Sequence, residues 1–149
     1  MAWDQTSAEA EELASAIGHV VMSHNTMKAL LLVLGTKLWT DHSLSAVQRK
    51  LGRRSTDEWL TSLAKQLNQA SASLEQLDVI DRLLAQCRGL NEQRNHLVHT
   101  VTSTDLPALH QGPDHIPYGT PNDTTIAQAW DLLTALDELN TQLRRICGV

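Results

Sequence analysis

Residues 13–38 carry apolar side chains at alternating intervals of four and three positions. This spacing repeats along one face of an α-helix, which has about 3.6 residues per turn. The positions concerned, one of them a histidine, are Leu13, Ile17, Val20, His24, Met27, Leu31, Leu34 and Leu38. The repeat predicts a long first helix that packs against other helices in a bundle. Gly18 and Gly35 lie within it at some cost in helix stability, and they could let a neighbouring helix approach closely.

Three further helical regions follow in the sequence. The second region is weaker, because it covers 43–50, breaks at Gly52 and resumes over 55–70. The third begins near Ser73 and the fourth near Asn122 or Asp123. The chain therefore predicts an all-α fold, an up-and-down four-helix bundle that forms a single domain over 1–149.

Helix starts are marked by capping boxes, in which a serine or threonine precedes a glutamate or glutamine by three residues. The hydroxyl of the first residue accepts a backbone N–H of the first helical turn, which would otherwise lack a partner. Three such pairs lie at expected helix starts, at Thr6–Glu9, Ser55–Glu58 and Ser73–Gln76. They predict that the first helix, the resumed part of the second region and the third helix begin at these positions.

The segment between the last two long helices differs from the rest of the chain. It contains all four prolines, the only tyrosine and two histidines, His110 and His115. We predict an irregular insert over about 101–121, either a long Pro-rich loop or a short hairpin in which 101–104 pairs with 115–118. Such a segment is a candidate for function, and a plain flexible connection is the alternative.

The charge balance limits the kinds of partner. Twelve basic residues against seventeen acidic ones give a net charge of −5. This argues against a protein that coats nucleic acid, because such proteins need a broad positive potential. It leaves room for a local anion site, and one basic cluster is formed by Arg49, Lys50, Arg53 and Arg54. A solvated surface is the ordinary interpretation of such a cluster.

The two cysteines and the hydropathy pattern bear on location. Cys87 and Cys147 show no C-x-x-C spacing, which predicts buried, reduced thiols in an intracellular protein. The N-terminal residues have no basic region followed by an apolar run, and the longest apolar run, 29–34, is too short to span a bilayer. We therefore expect a cytoplasmic protein with no membrane partner.

The run 93–99, near the predicted end of the third helix, is the most specific feature. Asn91 and Arg94 interrupt the apolar stripe of this helix. A buried arginine is costly unless it is paired, so Arg94 needs either a partner or a place where an anion binds. Arginine binds phosphate through its planar fork, and histidine transfers protons near neutral pH. The run therefore favours chemistry on a phosphodiester, with Arg94, Asn95 and His99 as catalytic candidates.

The spacing sets a condition on this site. Asn95 and His99 are four apart and share a helix face, whereas Arg94 and His99 lie about 140° apart around a straight helix. Arg94 and His99 converge only if the arginine bends across, if the helix loosens near Val98, or if a second subunit supplies one half. A structural ion pair for Arg94 is the alternative. Further candidates for substrate contact are Asn91, His96 and Arg88.

Other kinds of site have weaker support. His96 and His99 could bind a metal together with His110 and His115, but no carboxylate or thiol lies at a convincing ligand spacing, so we expect no metal and no cofactor. His24 is more often a hydrogen-bonded core residue than part of a site. The sequence has no Gly-rich phosphate loop and no serine nucleophile elbow.

The run Arg94–His99 resembles the R-x4-6-H signature of the HEPN superfamily, in which a polar residue, often asparagine, follows the arginine. Members are small up-and-down helical bundles with this motif near the C-terminal end of a late helix. The resemblance implies metal-independent RNA cleavage, in which a ribose 2′-hydroxyl attacks the adjacent phosphorus and leaves a 2′,3′-cyclic phosphate. It further implies His99 as general base or acid, Arg94 as the group that binds the scissile phosphate, and Asn95 as the residue that orients the pair.

The resemblance also implies partners. Members commonly form homodimers with two motifs facing each other, and many are toxins with a protein antitoxin, whereas others have lost catalysis. An RNA substrate would be held mainly through phosphate and ribose, because a chain with no phenylalanine and one tyrosine lacks a base-stacking platform. The alternative function is a catalytically inactive helical dimer that binds a protein or a nucleotide.

Overall fold

The computed structural model is helical throughout the residues it describes, which are 2–39, 42–70, 73–111 and 123–149. Side chains are described for 8–39, 42–70, 73–101 and 125–149. The helices are α1 (Ala2–Leu38), α2 (Leu44–Leu51), α3 (Thr56–Leu67), α4 (Leu74–Gln111) and α5 (Asp123–Cys147). The predicted all-α class is confirmed, with five helices in the described ranges rather than four, because the predicted break at Gly52 separates α2 from α3.

Serine caps start the middle helices. The Ser55 Oγ accepts the Glu58 backbone N–H at 3.2 Å, and the Ser73 Oγ accepts that of Gln76 at 3.2 Å. These two predicted caps are confirmed. The prediction at Thr6 is wrong, because α1 already begins at Ala2 and Thr6 lies inside the helix.

Helix α4 continues well beyond the predicted end. Its backbone is helical to Gln111 and includes Pro107, so the irregular insert is wrong over 101–111 and a strand over 101–104 is wrong. The physical reason is that extending an existing helix costs little per residue, even through residues of low helix propensity. The rest of the predicted insert, 112–122, lies outside the described residues.

Contacts between α1 and α5 show that these helices run parallel. The Trp130 Nε1 donates to the Glu12 Oε1 at 3.3 Å near one end. The Cys147 Sγ lies 3.6 Å from the Leu30 carbonyl oxygen towards the other end. Later residues of α1 therefore lie beside later residues of α5, and this pair has the most extensive contact of any two helices.

Helix α3 also runs parallel to α1. The Lys28 Nζ lies 4.8 Å from the centre of the Trp59 ring, and the Gln66 Nε2 donates to the Leu38 carbonyl oxygen at 3.3 Å. Segment 39–55, which contains α2, therefore brings the chain back from the end of α1 to the level of Lys28.

Helix α4 runs in the opposite direction to α3. The Arg88 Nη2 donates to the Thr61 Oγ1 at 3.2 Å, while the Asn91 Nδ2 donates to the Asp57 Oδ1 at 3.3 Å. Three of the four longest helices thus share one direction, so these four do not alternate as an up-and-down four-helix bundle requires. An alternating bundle would need a long helix antiparallel to α1 between α1 and α3, and only the short α2 lies there in the sequence.

The predicted face of α1 forms the core. Seven of its eight positions are buried, and Ile17 is half-buried. One stretch of this helix, Ala8–Leu38, is also long and apolar enough to cross a membrane by length and composition. The core helix of a soluble protein passes the same test, and the buried side of α1 contacts three other long helices.

Gly35 is required by close packing between α1 and α2. A Cβ at this position would lie 2.6 Å from the Val47 Cγ1, and Val47 is fully buried. We expect Gly35→Ala to destabilise the fold by about 1–3 kcal/mol, because overpacking outweighs the better helix propensity of alanine. Gly89→Ala is the matched control, since nothing lies within 4 Å of its added Cβ; it should stabilise α4 by roughly 0.5–1 kcal/mol. Urea unfolding measures the free energy of unfolding of both variants, and equal values for the two would contradict the close packing of Gly35 against Val47.

Candidate functional site

Arg94 is a half-buried cation with no carboxylate partner among the described residues. Its Nη1 donates to the Asn95 Oδ1 at 3.0 Å. Its Nε is buried and makes no hydrogen bond. The structural ion pair considered as an alternative is therefore not found in the described part of the chain. An unpaired guanidinium that is partly removed from water is unfavourable, and an arriving anion would relieve that cost.

A buried polar network lies one turn away and links three helices. The His24 Nε2 and the Asn91 Oδ1 are 2.9 Å apart, with both residues buried. Since the Asn91 Nδ2 donates to Asp57, the His24 Nε2–H must be the donor in this pair. Asp57 also forms an ion pair with Arg88, with an N–O distance of 3.8 Å. His24 is thus a hydrogen-bonded core histidine, as expected, and it holds Asn91 in place.

Two of the predicted substrate-contact residues belong to this network. Asn91 is buried, and both the oxygen and the nitrogen of its side-chain amide are hydrogen-bonded. This indicates that Asn91 stabilises the fold. Arg88 is half-exposed and contacts Asp57 and Thr61. Sequence reasoning missed the involvement of Asp57, because a carboxylate in the first turn of a helix ordinarily indicates only a favourable helix dipole.

The network predicts a pH-dependent stability. Burial lowers the pKa of His24 below its ordinary value of 6.5, and the nearby Arg94 and Lys28 charges add to this shift, whereas the hydrogen bond that His24 donates to Asn91 opposes it. The unfolded chain therefore binds more protons than the folded chain below that value, and stability is lost as the pH falls. We expect the free energy of unfolding to decrease from about pH 7 to pH 5 with a slope of up to about 1.4 kcal/mol per pH unit.

His24→Gln tests this dependence, because the glutamine amide keeps a donor for Asn91 and does not titrate. Urea unfolding at several pH values should show a flatter profile for this variant than for the wild type. The same slope in both proteins would mean that His24 does not titrate on unfolding.

His96 and His99 are three residues apart, about 60° around α4, and both lie on the side of the helix turned away from Arg94. Both are exposed. His96 lines a cavity of about 410 Å³ between α4 and α5, on the side of α4 away from Arg94. Within one chain the structure therefore brings Arg94 and Asn95 together, and it leaves both His96 and His99 at a large angle from Arg94 around α4.

Beyond the start of α3, towards the N-terminus of α1 and the C-terminus of α4, these two helices share a face that no other described helix covers. Ile17 and Val21 lie seven residues, or two helical turns, before His24 and Lys28. They therefore point to the same side of α1 as those two residues, which is the side that α3 covers further along the helix. Both are only half-buried, and a Cβ on the neighbouring Gly18 would meet nothing within 4 Å. We call this face the lower flank.

The motif belongs to the lower flank on α4. Asn95 and Val98 follow Arg88 and Asn91 by seven residues, so they lie two turns beyond the α3 contacts on the same side. Asn95 is exposed and Val98 is half-buried. The Arg94–Asn95 pair thus adjoins a mostly apolar face of the bundle.

A metal at this site has little support from the described side chains. No three histidine, cysteine or carboxylate groups among them lie close enough to hold a metal ion. The predicted alternative would need His110 and His115, whose side chains lie outside the described residues. The two cysteines are free and buried, as predicted, and burial raises the pKa of the Cys87 thiol to about 12.

Comparison of the chain with protein family models, with curated proteins and with solved structures found no match. The function of the lower flank must therefore be argued from its residues.

Proposed function

We propose that this protein is a metal-independent endoribonuclease of the HEPN type that acts as a homodimer. The observation that carries the proposal is the half-buried Arg94 guanidinium, which is held by Asn95 and has no carboxylate partner among the described residues. A phosphodiester supplies the missing negative charge, and arginine binds it through two parallel hydrogen bonds. Histidine at position 99 supplies a group that can transfer protons near neutral pH.

The geometry of α4 supports a second subunit. The helix is continuous from Leu74 to Gln111, so a loosened helix near Val98 does not bring the motif together. Arg94 and His99 stay about 140° apart around the helix and about 7.5 Å apart along it. The buried Nε of Arg94 also restricts how far its side chain can bend towards His99. A partner subunit across the lower flank is the remaining way to complete the site.

The lower flank suits such a partner. Its half-buried apolar side chains, Ile17, Val21 and Val98, would gain from burial at about 25 cal/mol per Å². Exposed Gly18 allows two backbones to approach closely. In a two-fold dimer the same face serves both subunits, so each Arg94 can meet the His99 of the other copy.

The reaction is the one the resemblance implies, with roles assigned to this chain. The His99 of one subunit accepts the proton of the ribose 2′-hydroxyl as its oxygen forms a bond to phosphorus. The protonated His99 then gives this proton to the 5′-oxygen as the bond from phosphorus to that oxygen breaks. Arg94 stabilises the charge that develops on the phosphate oxygens, and Asn95 holds the guanidinium in position. The products are a 2′,3′-cyclic phosphate and a free 5′-hydroxyl.

The proposed setting is the cytoplasm, since free buried cysteines accord with a reducing compartment. A ribonuclease acting on cellular RNA also needs restraint, and we extend the proposal to a protein partner of the antitoxin kind.

A second candidate function has one observation in its favour. The cavity between α4 and α5 has the size of a small-molecule site, and its accessible lining is mostly apolar with a few polar groups such as His96 and Asp131. It supports an inactive dimer that binds a nucleotide. The absence of lysine or arginine among the cavity residues described weakens this alternative for a phosphorylated ligand.

The test is incubation of the purified protein with single-stranded RNA in EDTA. The proposal predicts cleavage with cyclic-phosphate ends. Cleavage that EDTA abolishes would indicate a metal site, and an intact dimer that cleaves no RNA would favour the binding module.

A further inference from the structure

The basic cluster is an exposed and fixed part of the surface. Arg49 and Lys50 lie in the last turn of α2, and Arg53 and Arg54 follow in the turn to α3; all four are exposed. Gly52 ends α2 with φ at 59°, and its N–H donates to the Gln48 carbonyl oxygen at 2.8 Å. The positive φ favours glycine here and allows the tight turn.

Apolar residues anchor this corner to the bundle. Val47 and Leu51 are completely buried. Lys50 lies over the buried Trp39 ring, with its Nζ 5.2 Å from the ring centre. The second half of α2 therefore presents cations to solvent, and it presents neither an aromatic ring for base stacking nor an apolar patch.

The turn at 53–54 lies near Arg94 along the bundle. Arg53 and Arg54 immediately precede Ser55, which caps the start of α3. Asp57, in the first turn of α3, accepts a hydrogen bond from Asn91, which lies one turn before Arg94 on α4. Arg53, Arg54 and the proposed site thus lie at the same end of α3, whereas Lys50 packs on Trp39 near the end of α1.

The nearby carboxylates are already engaged. Asp57 contacts Arg88 and Asn91. Glu58 accepts a hydrogen bond from the Ser55 hydroxyl at 3.2 Å. Arg88 offsets the charge of Asp57, and the four cations of the cluster outnumber the single charge that Glu58 keeps, so the local potential is positive on a chain whose net charge is −5.

We infer that this basic corner binds the sugar-phosphate backbone of single-stranded RNA and leads the strand to Arg94. The inference rests on the proposed function, since it names where the substrate of that site lies. The contacts are electrostatic and independent of base identity, because the corner offers arginine and lysine and no stacking surface.

The experiment measures binding of a labelled 2′-O-methyl RNA, which cannot be cleaved because its 2′-oxygen is blocked. The double variant Arg53→Glu/Arg54→Glu is compared with Arg144→Glu/Arg145→Glu, an exposed pair in the last turn of α5 with the same charge change. We expect at least about a tenfold loss of affinity at 0.1 M salt for the first variant, and less than about a twofold loss for the second. The slope of log affinity against log salt should fall by roughly 1.4 for two lost contacts to a single strand.

Equal losses in the two variants, or no RNA binding by the wild type, would overturn the inference. Displacement of the RNA by poly-glutamate at equal charge concentration would also overturn it, in favour of an acidic protein partner. Because this RNA cannot be cleaved, a protein that binds it through the basic corner yet cuts no RNA would contradict only the proposed ribonuclease activity.

Discussion

Replacing His99 with alanine should reduce RNA cleavage by about 10²–10⁴-fold, because general acid–base catalysis contributes on that order. The reaction needs a base for the 2′-hydroxyl and an acid for the leaving 5′-oxygen, and alanine supplies neither. His99 is exposed, so the substitution should leave the fold intact. The rate of cyclic-phosphate formation in EDTA measures the effect.

Replacing Arg94 with alanine should cost about 10²–10³-fold, because the developing charge on the phosphate loses its fixed cation. Arg94→Lys should recover only part of the rate, since lysine keeps the charge and loses the planar fork that binds phosphate in two places. Arg145→Ala is the control, as Arg145 is an exposed arginine in the last turn of α5. Wild-type cleavage by either the Arg94→Ala or the His99→Ala protein would remove that residue from the site.

Local sequence signals predicted the helices well where they reflect hydrogen bonding or burial. The face of α1 follows directly from its alternating spacing, and Ser55 and Ser73 begin helices because their hydroxyls satisfy backbone N–H groups. Thr6 carries the same signal, but α1 already begins at Ala2. Thr6 therefore lies inside the helix and is not its N-cap. The end of α4 was also missed, since propagation along an existing helix outweighs the low propensity of residues such as threonine and serine. The helix also passes Pro107, which has no backbone N–H to donate.

The arrangement of the helices could not be derived from periodicity. The pattern shows which residues are buried, and it does not show which helix covers them or in which direction that helix runs. The parallel pairing of α1 with α5 depends on distant contacts such as Glu12 with Trp130. The lower flank is a consequence of this arrangement, because α3 begins at Thr56 and does not extend along α4 to the side where Asn95 and Val98 lie.

The candidate site was predicted in part. The polar interruption of the stripe at Asn91 and Arg94 was visible in the sequence, but the different surroundings of the two residues were not. Asn91 is satisfied by His24 and Asp57, whereas Arg94 has only Asn95. The helical angle between Arg94 and His99 was predictable, and the continuous α4 turns that angle into an argument for a second subunit.

A mixed dimer of two inactive proteins should regain activity if the site is shared between subunits. In a two-fold dimer, one site would then combine the Arg94 of one chain with the His99 of the other. Pairing an Arg94→Ala chain with a His99→Ala chain leaves one site with both changes and one site with neither. The mixed dimer should therefore cleave RNA at about half the wild-type rate per dimer, although each parent is inactive.

This measurement tests the central claim most directly. The two variants are co-expressed with different affinity tags, the mixed dimer is isolated by purification on both tags in turn, and its composition is verified by native mass spectrometry. Cleavage in EDTA at about half the wild-type rate is the predicted result. A verified mixed dimer that is as inactive as its parents, beside an active wild type, would contradict a site shared between subunits.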